Sequence, residues 1–137
     1  MTREEAAYIA GFFDGEGSIG LYRRKTPVGH DCFLYLVNFA QKQPAILHQI
    51  KNILGLGAVR KKSVDQHGLT INGRKNIIRV LEDLLPFLRV KKNQARWLMA
   101  ACRISLVAHH SRSKLLTRSL NYFCDQIKEN KSQDIAA

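Results

Sequence analysis

The sequence predicts an α+β domain of two successive helix-and-hairpin units, ordered α-β-β-α-β-β-α, feeding one four-stranded antiparallel sheet and followed by additional C-terminal helices. Three observations predict it. Apolar residues recur at helical spacing in segments such as 44–54, 75–85 and 114–129. Short alternating runs come in pairs between the helical segments, and Gly or Pro marks most changes of period. At 137 residues and 45% hydrophobic content the chain suits a single core, so residues 1–130 are read as one domain and 131–137 as a polar, fraying tail.

The first helix is expected over 4–13. Thr2 can cap its first turn while Glu5, three residues on, reaches back to close a capping box. Ala6, Ala7, Tyr8, Ile9, Ala10, Gly11, Phe12 and Phe13 make it apolar on nearly every side, which predicts burial all round. In so short a chain the expected cover is a second subunit. Ala7 and Gly11, four apart on one face, would let a partner backbone come close, offsetting the ~1 kcal/mol that Gly costs relative to Ala inside a helix. Gly15 and Gly17 are expected to stop it.

From 18 to 25, Ile19 and Leu21 alternate with Ser18, Gly20, Tyr22 and Arg24, as in a half-exposed strand. Pro27 and Gly29 mark a loop, and over 32–41 the row Phe33, Tyr35, Val37, Phe39 forms the returning strand, with Asn38 on the other face. Pro44 suits the first turn of a second helix, in which Ile46, Leu47, Ile50, Ile53 and Leu54 recur until Gly55 ends it. A second hairpin follows: Arg60 and Lys62 share one face of 58–64, and after Gly68, Leu69 and Ile71 oppose Thr70 and Asn72. The third helix, 75–85, buries Ile77, Ile78, Leu81, Leu84 and Leu85, and Pro86 marks its end or a kink. Helices 93–109 and 114–129 complete the chain.

Charge narrows the function. The formal net charge is +11, from 22 Lys and Arg against 11 Asp and Glu, and calls for a polyanionic partner. Between Gly17 and Leu81 eleven basic residues face only Asp31 and Asp65, a surplus of nine that would repel itself without such a partner. A basic sheet face that helices leave uncovered can enter the major groove of double-stranded DNA. Tyr22, Arg24, Asn38, Arg60, Lys62, Thr70 and Asn72 are the positions expected to face the bases: Arg and Lys pair with guanine edges, Asn with adenine, and the remaining basic residues touch phosphate.

Cys32, Cys102 and Cys124 are odd in number and far apart, as suits reduced thiols, and none has a partner at zinc spacing. His30, His48, His67, His109 and His110 make no histidine–metal motif and no clear nucleophile–base pair. The acidic start, Met1 to Glu5, is unlike a secretory signal, and no apolar run reaches the roughly 20 residues needed to span a bilayer. The expectation is an intracellular protein of a reducing compartment, the cytoplasm of a prokaryote or an organelle, not secreted, with neither a membrane partner nor a small-molecule cofactor.

The chemistry gathers where the first helix ends. Asp14 and Glu16 are acids at the end whose dipole disfavours them, so a cation or a donor should meet them. Glu16 lies between glycines and is open to approach, and a neighbouring backbone carbonyl could join it as a hard oxygen ligand for magnesium. Alone, Asp14-Gly15-Glu16-Gly17 also reads as a polar helix-to-strand turn. In context, Ile9 to Gly17 resembles the signature of the LAGLIDADG homing endonucleases. Ala10, Gly11, Phe12, Phe13, Asp14, Gly15 and Gly17 fall in register, with Glu16 replacing the final acid. Ala40-Gln41-Lys42, Leu54-Gly55-Leu56-Gly57 and Pro86-Phe87-Leu88-Arg89-Val90-Lys91 are similar to further landmarks, extending the resemblance over residues 5 to 110.

That resemblance implies the αββαββα homing-endonuclease fold and, since one motif is present, a homodimer paired through its first helices at Ala7, Ala10, Gly11 and Asp14. Asp14 would act mainly in capping and packing at the helix junction. Two copies of Glu16 would meet at the two-fold axis beside the scissile phosphates. Mg2+, with Mn2+ or Ca2+ able to replace it, would be held by Glu16 and the Gly15 carbonyl, to activate water and stabilise the leaving 3′ oxygen in an in-line displacement. Gln41 and Lys91 would line the pocket, positioning water and screening phosphate charge. Similar members often carry a further basic residue just after the glutamine, where this chain has Gln43-Pro44. The implied activity is cleavage of both strands of a long pseudo-palindromic site, leaving 3′ overhangs, in intron- or intein-type homing. Competing readings are a non-cleaving binder of the same fold, either a splicing maturase or a DNA-binding regulator, and a ribosome-associated RNA-binding protein. Glu16, Gln41 and Lys91 favour the enzyme, and the last reading leaves the apolar opening helix unexplained.

Overall fold

The computed structural model describes residues 1–29, 31–107 and 114–136. The predicted order holds: α1 (Arg3–Glu16), β1 (Gly17–Lys25), β2 (Asp31–Gln41), α2 (Pro44–Leu54), β3 (Ala58–Ser63), β4 (Gln66–Ile71), α3 (Arg74–Leu84), a single 3-10 turn at Leu85–Phe87, α4 (Lys92–Val107) and α5 (Lys114–Ala136). All strand pairings are antiparallel in the order β1-β2-β4-β3, so the returning strands of the two hairpins form the centre.

The capping box at the start of α1 forms as read: the Thr2 N–H donates to Glu5 Oε1 at 2.8 Å, and the Glu5 N–H to Thr2 Oγ1 at 3.1 Å. The helix does not stop at Phe13. It runs on to Glu16, and Gly17 is both its cap and the first residue of β1. A side chain at Gly17 would drive its Cβ into the Phe13 ring and within 2.6 Å of the Phe13 carbonyl oxygen, so this abrupt helix-to-strand joint requires glycine. Phe13 is fully buried with its ring 5.0 Å from that of Phe39, which pins the end of α1 to the sheet.

The chain itself buries one side of α1. Ala6, Ile9, Ala10 and Phe13 are buried in the chain's own core, whereas Ala7, Tyr8 and Gly11 are exposed. Side chains on neighbouring helical turns share a face, so one apolar stripe of α1 is spent in the chain's own core and the other is left uncovered. The core lies between the sheet and α1–α3, where Val37, Phe39, Leu69 and Ile71 of the central strands meet Leu47, Ile50, Ile77 and Leu81.

Helix α4 begins one residue before the predicted start, and 108 and 109 lie outside the described residues, as do His30 and His110. The polar stretch read as a tail from Asn130 is the continuation of α5 to Ala136. This helix flanks β1, an edge strand: the Cys124 thiol donates to the Leu21 carbonyl at 3.3 Å and Lys131 Nζ to the Ile19 carbonyl at 2.6 Å. An open strand edge exposes such carbonyls, and two side chains of α5 cover them.

Candidate active site

Three elements converge where α1 becomes β1. Glu16, the last residue of α1, is exposed. Gly17 pairs with Phe39, so Gln41, two residues further along β2, lies about 7 Å beyond that pairing. Its Oε1 accepts the Lys42 N–H at 2.7 Å. Lys91 immediately precedes α4 and is tied to the same turn by its Nζ, which donates to the Asp14 carbonyl at 2.6 Å. The last four carbonyls of a helix have no intrahelical donor and carry its negative pole. With no basic residue in its own last turn, α1 receives the Lys91 ammonium instead.

Asp14 completes the exchange. Its Oδ2 accepts the Arg89 N–H at 2.8 Å, and its Oδ1 accepts those of Val90 at 3.2 Å and Lys91 at 3.0 Å. Three successive N–H groups at the approach to α4 form an anion-binding concavity, and this carboxylate fills it. Asp14 therefore caps the start of another element of its own chain, the kind of capping expected of it at the helix junction. Ala10 is corrected: it is 0% exposed within the chain itself, so only Ala7 and Gly11 of the expected pairing residues present an open surface. A Cβ added at Gly11 would meet nothing within 4 Å.

Acidic metal ligands do not gather in one chain: among the described residues no three His, Cys, Asp or Glu groups are placed to hold an ion together. At this helix end the chain offers the exposed carboxylate of Glu16 and beside it the Gly15 carbonyl, among the four to which the helix supplies no donor. Oxygen donors of this kind suit magnesium or calcium, with further ligands to come from outside the chain.

The residues expected to read bases occupy the opposite face of the sheet. Tyr22, Arg24, Arg60 and Lys62 are exposed, and Thr70 is half-buried. The Tyr22 ring lies over Gly20, where any Cβ would collide with it. Asn38 departs from expectation: it is only 7% exposed, and its Oδ1 accepts from Lys62 Nζ at 3.1 Å and Thr70 Oγ1 at 3.0 Å. The Lys62 side chain lies over Gly68 to reach it. Asn72 falls one residue past β4; it is exposed, and its carbonyl accepts from Asn76 Nδ2 at 3.3 Å.

Comparison with known proteins agrees with this geometry. The family profile described as LAGLIDADG endonuclease matches residues 9–94, more than half of the chain and all three converging elements. The chain belongs to the LAGLIDADG endonuclease family. The DNA endonuclease I-CvuI of Chlorella vulgaris is 32% identical over 94 residues, 66% of this chain and 58% of that protein, so the match spans less than two thirds of the relative's length. The I-CvuI structure in complex with its target in the presence of calcium superposes with a TM-score of 0.85 at 22% identity, covering 93% of this chain and 82% of that one. I-SmaMI, bound to uncleaved DNA with calcium ions, gives 0.79 at 16% identity over 90% of this chain but 45% of its own. Both likenesses establish the LAGLIDADG fold.

Two features of this LAGLIDADG chain escaped the sequence. The three backbone bonds of Asp14 have no local signal, because their donors lie 75 to 77 residues away. Lys131, which α5 brings to β1, lies in the stretch set aside as a tail; the i to i+4 pattern Leu116, Leu120, Cys124, extended through Ile127, was the available clue that α5 keeps a packed face this far.

Proposed function

We propose that the chain is one subunit of a homodimeric endonuclease that depends on a divalent cation and cuts both strands of a long, roughly palindromic DNA site. The observation carrying this reading is the exposed Glu16 at the end of α1, with Lys91 bonded to the same helix turn and an uncovered stripe of Ala7, Tyr8 and Gly11 on the same helix. Pairing two copies along that stripe brings two Glu16 carboxylates near one axis. Ala7 and Gly11 allow the close helix contact. The match to I-SmaMI supports it: the shared fold fills 45% of that chain and 90% of this one.

Glu16 and the Gly15 carbonyl would hold Mg2+, or Mn2+ or Ca2+, completed by the second subunit and by phosphate oxygens of the DNA. When bound, the ion supplies a polarised water and charge neutralisation at the departing 3′ oxygen. Gln41 orients water through its amide, while Lys91, fixed against the Asp14 carbonyl, holds positive charge beside the phosphate. Two such centres, one acting on each strand, would leave 3′ overhangs. The sheet face with Tyr22, Arg24, Arg60, Lys62, Thr70 and Asn72 enters the major groove, with Asn38 beneath Lys62. Homing of an intron or intein is the matching role, and three free cysteines suit the cytoplasm of a prokaryote or an organelle.

The test is selection from a randomised duplex library in magnesium, comparing wild type with Glu16→Gln. The variant should retain affinity within about threefold and lose cleavage by about 10³-fold or more, within the range electrostatic active-site groups carry. Equal cutting by both would remove Glu16 from the site; binding without cutting by the wild type would favour the non-cleaving reading. Sedimentation of the active protein should give a dimer, and a fully active monomer would exclude the shared axis.

A further inference from the structure

Helix α5 runs antiparallel to β1, since Cys124 meets Leu21 and, seven residues later, Lys131 meets Ile19. Lys131 therefore meets β1 three residues from Glu16, within about 10 Å of extended chain. Two carbonyls of the same strand edge are thus capped in different ways. A neutral thiol suffices at Leu21; at Ile19 the donor is an ammonium, whose burial raises its cost. The half-buried Lys131 is held below the usual lysine pKa first by that burial and then by Lys91 and Lys128, both positive. Gathering such charges is unfavourable until a polyanion arrives. Lys91 is also the residue fixed to the last turn of α1. An ammonium has three N–H donors, and one is spent on Ile19.

We propose that Lys131 is a phosphate-binding residue of the cleavage site, delivered by α5 to contact the DNA backbone beside the bond that is cut. This rests on the endonuclease reading above and adds to it a group from outside the family-matched region, which ends at residue 94. The carbonyl of Ile19 sets the direction of the side chain, and the charge, not the hydrogen bond, is the functional part.

The experiment compares wild type, Lys131→Gln and Lys131→Arg on the duplex the wild type selects, with unfolding temperature measured alongside. Gln keeps a donor for the Ile19 carbonyl without charge; Arg keeps both. Affinity is measured against salt in calcium, and single-turnover cleavage at saturating enzyme in magnesium. Lys131→Gln should melt with the wild type, show a log K against log salt slope shallower by about two for the dimer, and cut about tenfold or more slowly. Lys131→Arg should restore both. An unchanged slope, or a shallower slope with undiminished cleavage at saturation, overturns the proposal, as does a failure of Arg to restore what Gln loses. A wild type that binds no duplex overturns the endonuclease reading itself, whereas a wild type that cuts while Lys131→Gln matches it rejects Lys131 alone.

Discussion

Helix α2 ends at Gly55, whose left-handed backbone (φ 73°) returns its N–H to the Lys51 carbonyl at 2.8 Å, and two further residues turn the chain before β3 begins. Helix α1 ends at Gly17 with extended backbone (φ −96°, ψ 164°) and enters β1 without a single loop residue. The same helix-and-hairpin unit thus occurs twice with two solutions for its helix end. In the second unit a basic residue, Lys51, stands in the last turn and the end is locally self-sufficient. In the first the last turn carries acids and no base, and Lys91 and the backbone of Arg89 to Lys91 are brought from 75 to 77 residues away in the chain. A helix end that needs distant partners is an assembled place, and it is the one that presents Glu16.

The two glycines separate these solutions most sharply. Gly17→Ala forces a Cβ into the fully buried Phe13, where ring and backbone both resist, and should cost about 3 kcal/mol or more, the upper range for overpacking. Gly55→Ala meets no atom within 4 Å and carries only the strain of a left-handed backbone, about 1 kcal/mol. Urea unfolding of both variants measures the difference. Equal losses would mean that the joint between α1 and β1 relaxes freely, and the rigid placement of Glu16 would go with it.

Removing Asp14 breaks the assembly from its other side. Asp14→Ala deprives three N–H groups of a charged acceptor, and a loss of about 2 kcal/mol is expected, in line with a strong helix cap or a charge-assisted bond. The corresponding long-range contact at α2, Arg79 Nη2 to the Leu54 carbonyl at 3.4 Å, is long and on an exposed side chain, so Arg79→Met should change stability by under about 0.5 kcal/mol. Asp14→Ala should also slow cleavage by releasing the segment that positions Lys91. A variant that loses stability but retains full cleavage would show that Lys91 does not need this anchor.

Much of this contrast was legible in the sequence and some could not have been. Both helix ends announced themselves by glycines, and the alternation of Phe33, Tyr35, Val37 and Phe39 gave the strand and its core face. The extra turn of α1 was missed because Gly15 reads as a stop, although in a helix it is only a weak penalty that packing of Phe13 on Phe39 overrides. Ala10 was placed on the pairing face because a uniformly apolar helix does not tell its inner stripe from its outer one. Asn38 sits on the predicted face, but alternation cannot show that Lys62 lies across it from the neighbouring hairpin.

The smallest expected difference lies at the opposite ends of the same helices. At the start of α1 the bonds from the Thr2 N–H and hydroxyl hold the Glu5 carboxyl below its ordinary value. A depressed acid stabilises the fold above its unfolded-state pKa, about 4.3, and that contribution is lost as pH falls through the lowered folded value. Helix α2 opens on Pro44 with no side-chain cap and no acid in its first turn, so nothing there titrates in this window. Amide-exchange protection at Glu5 and Ala6 should therefore fall between about pH 5 and 3 while that at Leu47 holds steady, and Glu5→Gln, which removes the titrating carboxyl, should abolish the difference. If protection at both starts falls in step, the acid response is global, and the capping box contributes nothing that the proline start does not.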